Sequence, residues 1–304
     1  MSVYHEPVLV SEVVGFLEPG RGGLFLDGTL GGGGHTAAIL AATPRARVLG
    51  VDRDPAAIRE AERRLAVYED RFETVEADFA DVADRLGAAL AGAVLDLGVS
   101  SHQIDEVARG FSFRPGSPLD MRMSGRGGVT AAEILNTYAE ADLARLLREF
   151  GEERRSWPLA RRIAARRRES PFEVSEDLVS VLEDLYGHRL SVQDKARVFQ
   201  ALRIEVNREL DSLGRALPAL RDRLEPGGVL VVISYHSLED RRVKNAFREW
   251  SRECVCPPEL PVCHCRGVAL GETLTRKVVR PTAEEVASNP RSRSARLRAW
   301  RKAS

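Results

Sequence analysis

Leu24-Phe25-Leu26-Asp27-Gly28-Thr29-Leu30-Gly31-Gly32-Gly33-Gly34-His35-Thr36 decides how this chain folds. An apolar run ends in an acid, four glycines follow, and Ala37-Ala38-Ile39-Leu40 reads as the first turns of a helix. Strand, tight loop and helix in that order make a nucleotide loop. Glycine takes positive φ readily and lets a ligand approach its backbone, while N–H groups at the helix start face whatever docks there. Gly32-x-Gly34-x-x-Ala37 satisfies the dinucleotide fingerprint, but a run of glycines makes that match cheap. The frame D-x-x-x-G-x-G, Asp27 to Gly33, says more. A carboxylate at the strand tip repels phosphate and suits a cation-bearing ligand, so S-adenosylmethionine, with a sulfonium and an ammonium, is expected there ahead of NAD.

Working outward, Ala46-Arg47-Val48-Leu49-Gly50-Val51-Asp52 is a second buried strand with an acid at its end. Asp52 stands 18 residues past Gly34, near the separation at which a carboxylate accepts hydrogen bonds from ribose hydroxyls. Asp54-Pro55 already supplies an N-cap and N1 pair for the next helix, which frees Asp52 for the ligand. Phe72-Glu73-Thr74-Val75-Glu76 is a third strand leading to Phe79, which either walls in the adenine or packs as an ordinary core aromatic. Ala93-Val94-Leu95-Asp96 is a fourth strand, again acid-tipped. Strands alternating with helices predict a parallel, doubly wound sheet with ligands along the carboxyl edge.

From about Asp105 the alternation stops. Residues 109–123 have neither helical nor strand period, yet their phenylalanines and methionines argue against disorder. Helical patterns then occupy 131–135, 140–150, 158–168, 175–186 and 192–213. In the last, Phe199, Leu202, Val206, Leu210 and Leu213 recur at helical spacing on one face. The sheet resumes at 229–234, with Tyr235 and His236 at the strand tip and Ser237 as a hydroxyl cap for the following helix. The expected organisation is therefore a sheet domain from 1–104 and 213–304, with an all-helical domain at 105–212 inserted into it.

Composition narrows the classes. The 304 residues are 43% hydrophobic, and 45 basic side chains balance 45 acidic ones, so no global field draws the chain to nucleic acid or membrane. Val229-Leu230-Val231-Val232-Ile233 is far too short to span a bilayer, and Met1-Ser2-Val3-Tyr4-His5-Glu6 has no signal pattern. A soluble, cytoplasmic protein is expected, with monomer or homodimer left open. Local charge is another matter: nine arginines against three acids lie between Arg145 and Arg168, and six bases with no acid run from Arg291 to Lys302. Arg166, Arg167, Arg168, Arg291 and Arg293 are accordingly candidates for phosphate contact. Cys254-x-Cys256 and Cys263-x-Cys265, with His264 inside, bring four thiols close in sequence. The spacing is not the usual C-x2-C pair, and it favours free or reversibly oxidised thiols over zinc; no metal is assigned.

Seven ordered motifs then make a resemblance. Asp27-Gly-Thr-Leu-Gly-Gly-Gly-Gly-His35, Leu95-Asp-Leu-Gly-Val-Ser-Ser101, Arg109-Gly-Phe-Ser-Phe113, Leu119-Asp-Met-Arg-Met123, Gly151-Glu-Glu-Arg154, Phe199-Gln-Ala-Leu-Arg-Ile204 and His236-Ser-Leu-Glu-Asp-Arg241 together resemble the bacterial 16S rRNA cytosine-N4 methyltransferase family, RsmH or MraW. The likeness runs from His5-Glu6-Pro7-Val8-Leu9 to Asn289-Pro290-Arg291-Ser292-Arg293-Ser294-Ala295. It implies an α/β Class I fold that uses S-adenosylmethionine, with an inserted helical domain, acting on a decoding-region cytidine of 16S rRNA in the small ribosomal subunit. Carried over by position, it implies cofactor contacts from Gly33, Gly34, His35, Asp52, Phe79, Asp96 and Gln103, beside Asp27. His102 stands where the family would have proline, which leaves the backbone before Gln103 open.

The chemistry so implied is in-line transfer to an exocyclic amine whose lone pair is delocalised into the ring. An acceptor for an amine hydrogen stabilises the nitrogen as it becomes tetrahedral. The D/N/S-P-P-aromatic device common among amino-methyltransferases is incomplete here, since Asp96-Leu97-Gly98-Val99 lacks the prolines and the aromatic. Asp96 is expected to anchor the methionine end of the cofactor, with Ser100, Ser101 or His236 facing the amine. The serines serve equally well as turn hydroxyls, and His236 as a structural histidine. Phe111, Phe113 or Tyr235 are candidates to receive a base splayed from its stack. No general base is identified.

Overall fold

The computed structural model describes residues 7–257, 262 and 264–304, the side chain of Asp84 excepted; His5, Glu6 and Cys263 lie outside the described residues. In chain order the elements are α1 (Val10–Leu17), β1 (Gly23–Asp27), α2 (Gly34–Ala42), β2 (Ala46–Asp52), α3 (Pro55–Leu65), β3 (Phe72–Glu76), α4 (Phe79–Arg85) and β4 (Leu90–Asp96). There follow α5 (Ser101–Asp105), α6 (Ala131–Thr137), α7 (Glu140–Gly151), α8 (Ser156–Glu169), α9 (Ser175–Tyr186) and α10 (Val192–Asn207). The chain closes with α11 (Glu209–Arg223), β5 (Leu224–Ser234), α12 (Ser237–Trp250), β6 (Gly271–Thr273), α13 (Ala283–Ser288) and β7 (Arg296–Lys302). Two compact units result, one from residues 1–98 and 211–304, the other from 99–210; both boundaries fall a few residues before those expected from sequence. Among the described residues no helix is long and apolar enough to cross a membrane.

The first unit holds one seven-stranded sheet in the order β3-β2-β1-β4-β5-β7-β6. Strands β1 to β5 pair in parallel, while β7 runs antiparallel to both β5 and β6. Central β4 is buried on both faces, as its apolar run demands of a parallel strand. Alternation sorts its neighbours. Leu26, Leu95 and Leu230 join Leu217, Leu220, Val243, Phe247 and Trp300 in one core, and Phe25, Val94 and Val231 join Val13, Leu17, Ile39 and Leu40 in the other. Each such leucine contributes about 1.5–3 kcal/mol by leaving water. Helices on both faces make the sheet doubly wound, and its order reverses between β1 and β4, where such sheets open a crevice at their carboxyl edge.

The second unit is helical around its own core, which includes Leu119, Met121, Leu146, Leu147, Ile163, Leu182, Phe199 and Leu202. The aperiodic segment 109–123 is ordered by this core. Phe113 meets Phe199 edge-on at 5.7 Å, and the Arg109 guanidinium donates to the carbonyls of Arg122 and Met123 while lying over Phe111.

The expected single helix at 192–213 is broken. Arg208 takes φ 50°, ψ 37°, and α11 starts afresh at Glu209. Asn207 holds the break: its amide donates to the Met121 and Arg203 carbonyls at 2.8 and 2.9 Å and accepts the Met123 N–H at 2.8 Å. Arg203 adds a two-pronged pair with Glu209 at 2.8 Å on each arm. The apolar stripe therefore serves two cores. Phe199 and Leu202 enter the helical unit, whereas Leu213 enters the sheet unit.

Candidate functional site

At the tip of β1, Asp27 is only 1% exposed. Its carboxylate accepts the Thr36 hydroxyl at 2.7 Å and the Thr29 N–H at 3.3 Å. Burial, opposed by His35 and these two donors, pushes its pKa above the usual carboxylate range. Asp27 therefore fastens the start of α2 to the end of β1 and shapes the glycine loop from below.

The glycines answer to packing as much as to a ligand. Gly33 sits at φ +74°, and a Cβ there would lie 2.8 Å from Leu65; a Cβ on Gly34 would lie 2.7 Å from Pro7, and one on Gly28 2.4 Å from Leu95. Gly31 matters for its N–H, which it donates to Asp52 Oδ2 at 2.8 Å. The other Asp52 oxygen takes the Asp54 N–H at 2.9 Å, while Asp54 caps α3 through Ala56 N–H as expected. Burial raises the Asp52 pKa to about 6 despite those two bonds. A phosphate would need loop N–H groups such as that of Gly31. Here a carboxylate has taken it.

Asp96, at the tip of β4, is the centre of the constellation. Its backbone N–H donates to the Thr29 hydroxyl at 2.6 Å, its Oδ1 accepts the Tyr235 hydroxyl at 2.9 Å, and its Oδ2 stands 3.5 Å from His35 Nε2. Tyr235 is pushed well above its ordinary pKa by burial and by the Asp96 carboxylate, so its proton stays to be donated. His35, in the first turn of α2, is 5% exposed. Burial lowers its pKa, but the hydrogen-bonding and charge of Asp96, with Asp27 and Glu285, more than reverse this and raise it. Neither of its ring nitrogens completes a well-directed hydrogen bond among the described residues.

His236 lies at the N-cap of α12 with Nε2 3.1 Å from Glu239 Oε1. Glu239 also accepts the N–H groups of Tyr235 and His236 at 2.9 and 3.4 Å, so this carboxylate caps α12 where a Ser237 hydroxyl was expected. Phe79 belongs to the sheet core at 9% exposure, with Arg53 over its ring at 6.0 Å. It packs as a core aromatic at the start of α4.

The remaining sequence candidates, Arg291 and Arg293 apart, lie in the helical unit. Ser100 caps α5: its hydroxyl accepts the Gln103 N–H at 3.2 Å, and the Gln103 side chain accepts the Ser100 N–H at 3.1 Å. Ser101 and His102 occupy the first two positions of that helix. A first-turn N–H has no partner inside the helix, so proline and histidine are both tolerated at His102; its imidazole reaches Glu106 at 3.2 Å. Two of the arginines expected to face phosphate are committed to the fold. Arg167 donates to the Leu135 and Tyr138 carbonyls at 2.9 and 2.7 Å, and Arg166 pairs with Asp177 at 3.1 Å and bonds the Ser170 carbonyl. Arg168 is exposed, as are Arg161 and Arg162 on the same helix, while Arg291 and Arg293 are exposed in the sheet unit.

Sequence reading missed Thr29 and Thr36. Their signal was present, since hydroxyls flank the glycine run on both sides, but only contact with Asp96 and Asp27 gives them work.

The arrangement suits a cationic cofactor. Carboxylates line three neighbouring strand tips, Asp27 buried and Asp52 and Asp96 half-buried, a loop N–H is withheld from phosphate, and a buried imidazole has hydrogen-bonding capacity left over. A sequence model of a family described as the MraW methylase family matches residues 2–303. A "Ribosomal RNA small subunit methyltransferase H" from Gemmatimonas aurantiaca is 53% identical over 305 residues, covering 99% of this chain and 96% of its own. One of the same name from Heliobacterium mobile is 47% identical over 311 residues, covering 99% and 100%. Among solved structures, an rRNA methylase from Streptococcus thermophilus aligns over 97% of this chain and 94% of its own at 11% identity, with a TM-score of 0.43.

Proposed function

The chain belongs to the MraW methylase family, and on that premise we propose that it methylates N4 of a cytidine in the decoding region of 16S rRNA, using S-adenosylmethionine. It is a Class I methyltransferase of small-subunit ribosomal RNA. The decoding-region cytidine is the finer reading, supported by the seven motifs.

The observation that carries this reading is Asp96, held from three sides at the switch point of the sheet. When bound, S-adenosylmethionine supplies an electrophilic methyl on a sulfonium. Asp52 would hold the ribose hydroxyls, and Asp96, with His35 beside it, the cationic methionine end. The Tyr235 hydroxyl holds the Asp96 carboxylate and the Thr29 hydroxyl holds its backbone N–H, so the carboxylate meets developing positive charge without reorganising. Asp27 and Thr36 hold the loop in place, which supplies orientation rather than chemistry. His236, tied to Glu239, is a positioning residue for the strand tip that carries Tyr235. Ser100 and Gln103 serve each other in a cap. Exposed Arg161, Arg162 and Arg168 give the helical unit a basic face for RNA phosphate, and Arg291 and Arg293 provide a second one.

Labelled S-adenosylmethionine offered with small-subunit particles, naked rRNA and DNA, followed by nucleoside analysis, tests the proposal. N4-methylcytidine in the small-subunit RNA is expected. N4-methyldeoxycytidine would make the chain a DNA amino-methyltransferase instead, and no transfer to any acceptor would leave a binding protein.

A further inference from the structure

We propose that Cys254, Cys256 and Cys265 form a zinc site that pins the loop between α12 and β6. The three Sγ atoms, from positions up to 11 residues apart, all lie within 4.8 Å of one another. Tetrahedral zinc with Zn–S bonds of about 2.3 Å sets neighbouring sulfurs roughly 3.8 Å apart. Cys254 and Cys265 stand 3.9 Å apart, at that edge length and well beyond the ~2.05 Å of a disulfide. The convergence of three sulfurs also exceeds what one disulfide uses. The Val255 N–H donates to Cys265 Sγ at 3.3 Å, a bond that favours the thiolate, and thiolate is the form that binds metal. Soft sulfur ligands select zinc over calcium or magnesium.

The surroundings give the site a purpose. The described residues of 251–269 hold no helix or strand and join none of the hydrophobic cores, and Val255, Val262 and Val268 are exposed. The loop is closed at its base by Leu270 N–H to the Trp250 carbonyl at 2.8 Å. Arg266 fastens it further to Glu249, at 2.7 Å, and to the Arg252 carbonyl, at 3.1 Å. A segment with so little apolar burial gains order from a cross-link, as small metal-bound modules do. Three thiolates leave the fourth ligand position open to a further donor. The sequence spacing alone favours free or reversibly oxidised thiols; the convergence of the sulfurs is what favours zinc instead.

The test uses the full chain purified without chelator. Elemental analysis should find about one zinc per chain, and exchange for cobalt should give a thiolate-to-cobalt charge-transfer band in the near ultraviolet. The combined Cys254→Ser, Cys256→Ser and Cys265→Ser variant should lose at least nine-tenths of the metal and be cut faster by protease within 251–269, while keeping its affinity for S-adenosylmethionine. Reduced wild-type protein that takes up neither zinc nor cobalt overturns the proposal, as does metal retained by the triple variant. If the variant does not fold, the wild-type cobalt spectrum decides. None of these readouts involves methyl transfer, so they stand or fall apart from the proposed activity.

Discussion

The hydroxyl of Tyr235 donates to Oδ1 of Asp96 at 2.9 Å, joining the tip of β4 to the residue that follows β5. A hydrogen bond to a charged group contributes about 1.5–3 kcal/mol, equivalent to roughly 10–100-fold in rate where the bond acts on the transition state. Tyr235→Phe should lower kcat by that factor while leaving the protein folded. Asp96→Ala should remove both cofactor binding and transfer. If Asp96→Ala leaves both intact, Asp96 is not the centre of the site.

Asp52 sets a pH dependence. Its folded pKa is raised by burial to about 6, above an unfolded value of about 3.9, so the native apo protein binds the extra proton. Its contribution to apo stability is fully present below the unfolded value and is lost as pH rises through 6. Cofactor affinity runs the opposite way, because a ribose hydroxyl and a cation prefer the carboxylate: binding should strengthen from pH 5 to 7 and release a proton near pH 6. Calorimetry in buffers of different ionisation enthalpy measures that proton, and Asp52→Asn should abolish the release and weaken binding at pH 7.

Thr36 satisfies a sealed carboxylate oxygen of Asp27. Thr36→Val keeps the shape and strands that acceptor, which costs about 1–3 kcal/mol and should lower the midpoint of thermal unfolding. Thr36→Ser should recover most of the loss. Equal melting of the two variants would show that the hydroxyl does not hold the glycine loop.

The arginines of α8 separate by partner. Arg161→Gln, Arg162→Gln and Arg168→Gln together should weaken RNA binding and flatten its salt dependence by about 0.7–0.9 per lost phosphate contact, leaving S-adenosylmethionine affinity unchanged. Arg167→Ala, which uncaps the Leu135 and Tyr138 carbonyls, should act on stability in denaturant titration. An unchanged salt slope in the triple variant would remove this face from the RNA interface.

At Arg208, φ 50° is costly for an L-residue, by about 1–2 kcal/mol. Arg208→Gly should therefore be neutral or stabilise by up to about 1 kcal/mol. Were 192–213 one continuous helix, the same change would destabilise by about 1 kcal/mol, so the sign of the shift in unfolding midpoint distinguishes the two.

Much was legible in sequence because it is written over short distances. Apolar runs ending in Asp27, Asp52 and Asp96 marked three parallel strands, the Asp54-Pro55 pair marked the start of α3, and helical spacing marked α6 to α9 closely. The break at Arg208 carries no proline or glycine, since it is imposed by Asn207 bonding to Met121 and Met123, residues 86 and 84 positions away. Arg166, Arg167 and Arg168 are identical letters, and burial against Asp177 and the end of α6 decides which of them faces water.

By itself, then, the sequence determined the doubly wound sheet, its acid-tipped edge and the family, because periodicity and motif chemistry are local properties of a chain. Only tertiary structure decided how each polar group is spent: Thr29 on the Asp96 backbone N–H from 67 residues away, Tyr235 on the Asp96 carboxylate from 139. A buried polar group must find a partner wherever the fold brings one within about 3 Å, and no spacing in the sequence encodes that meeting.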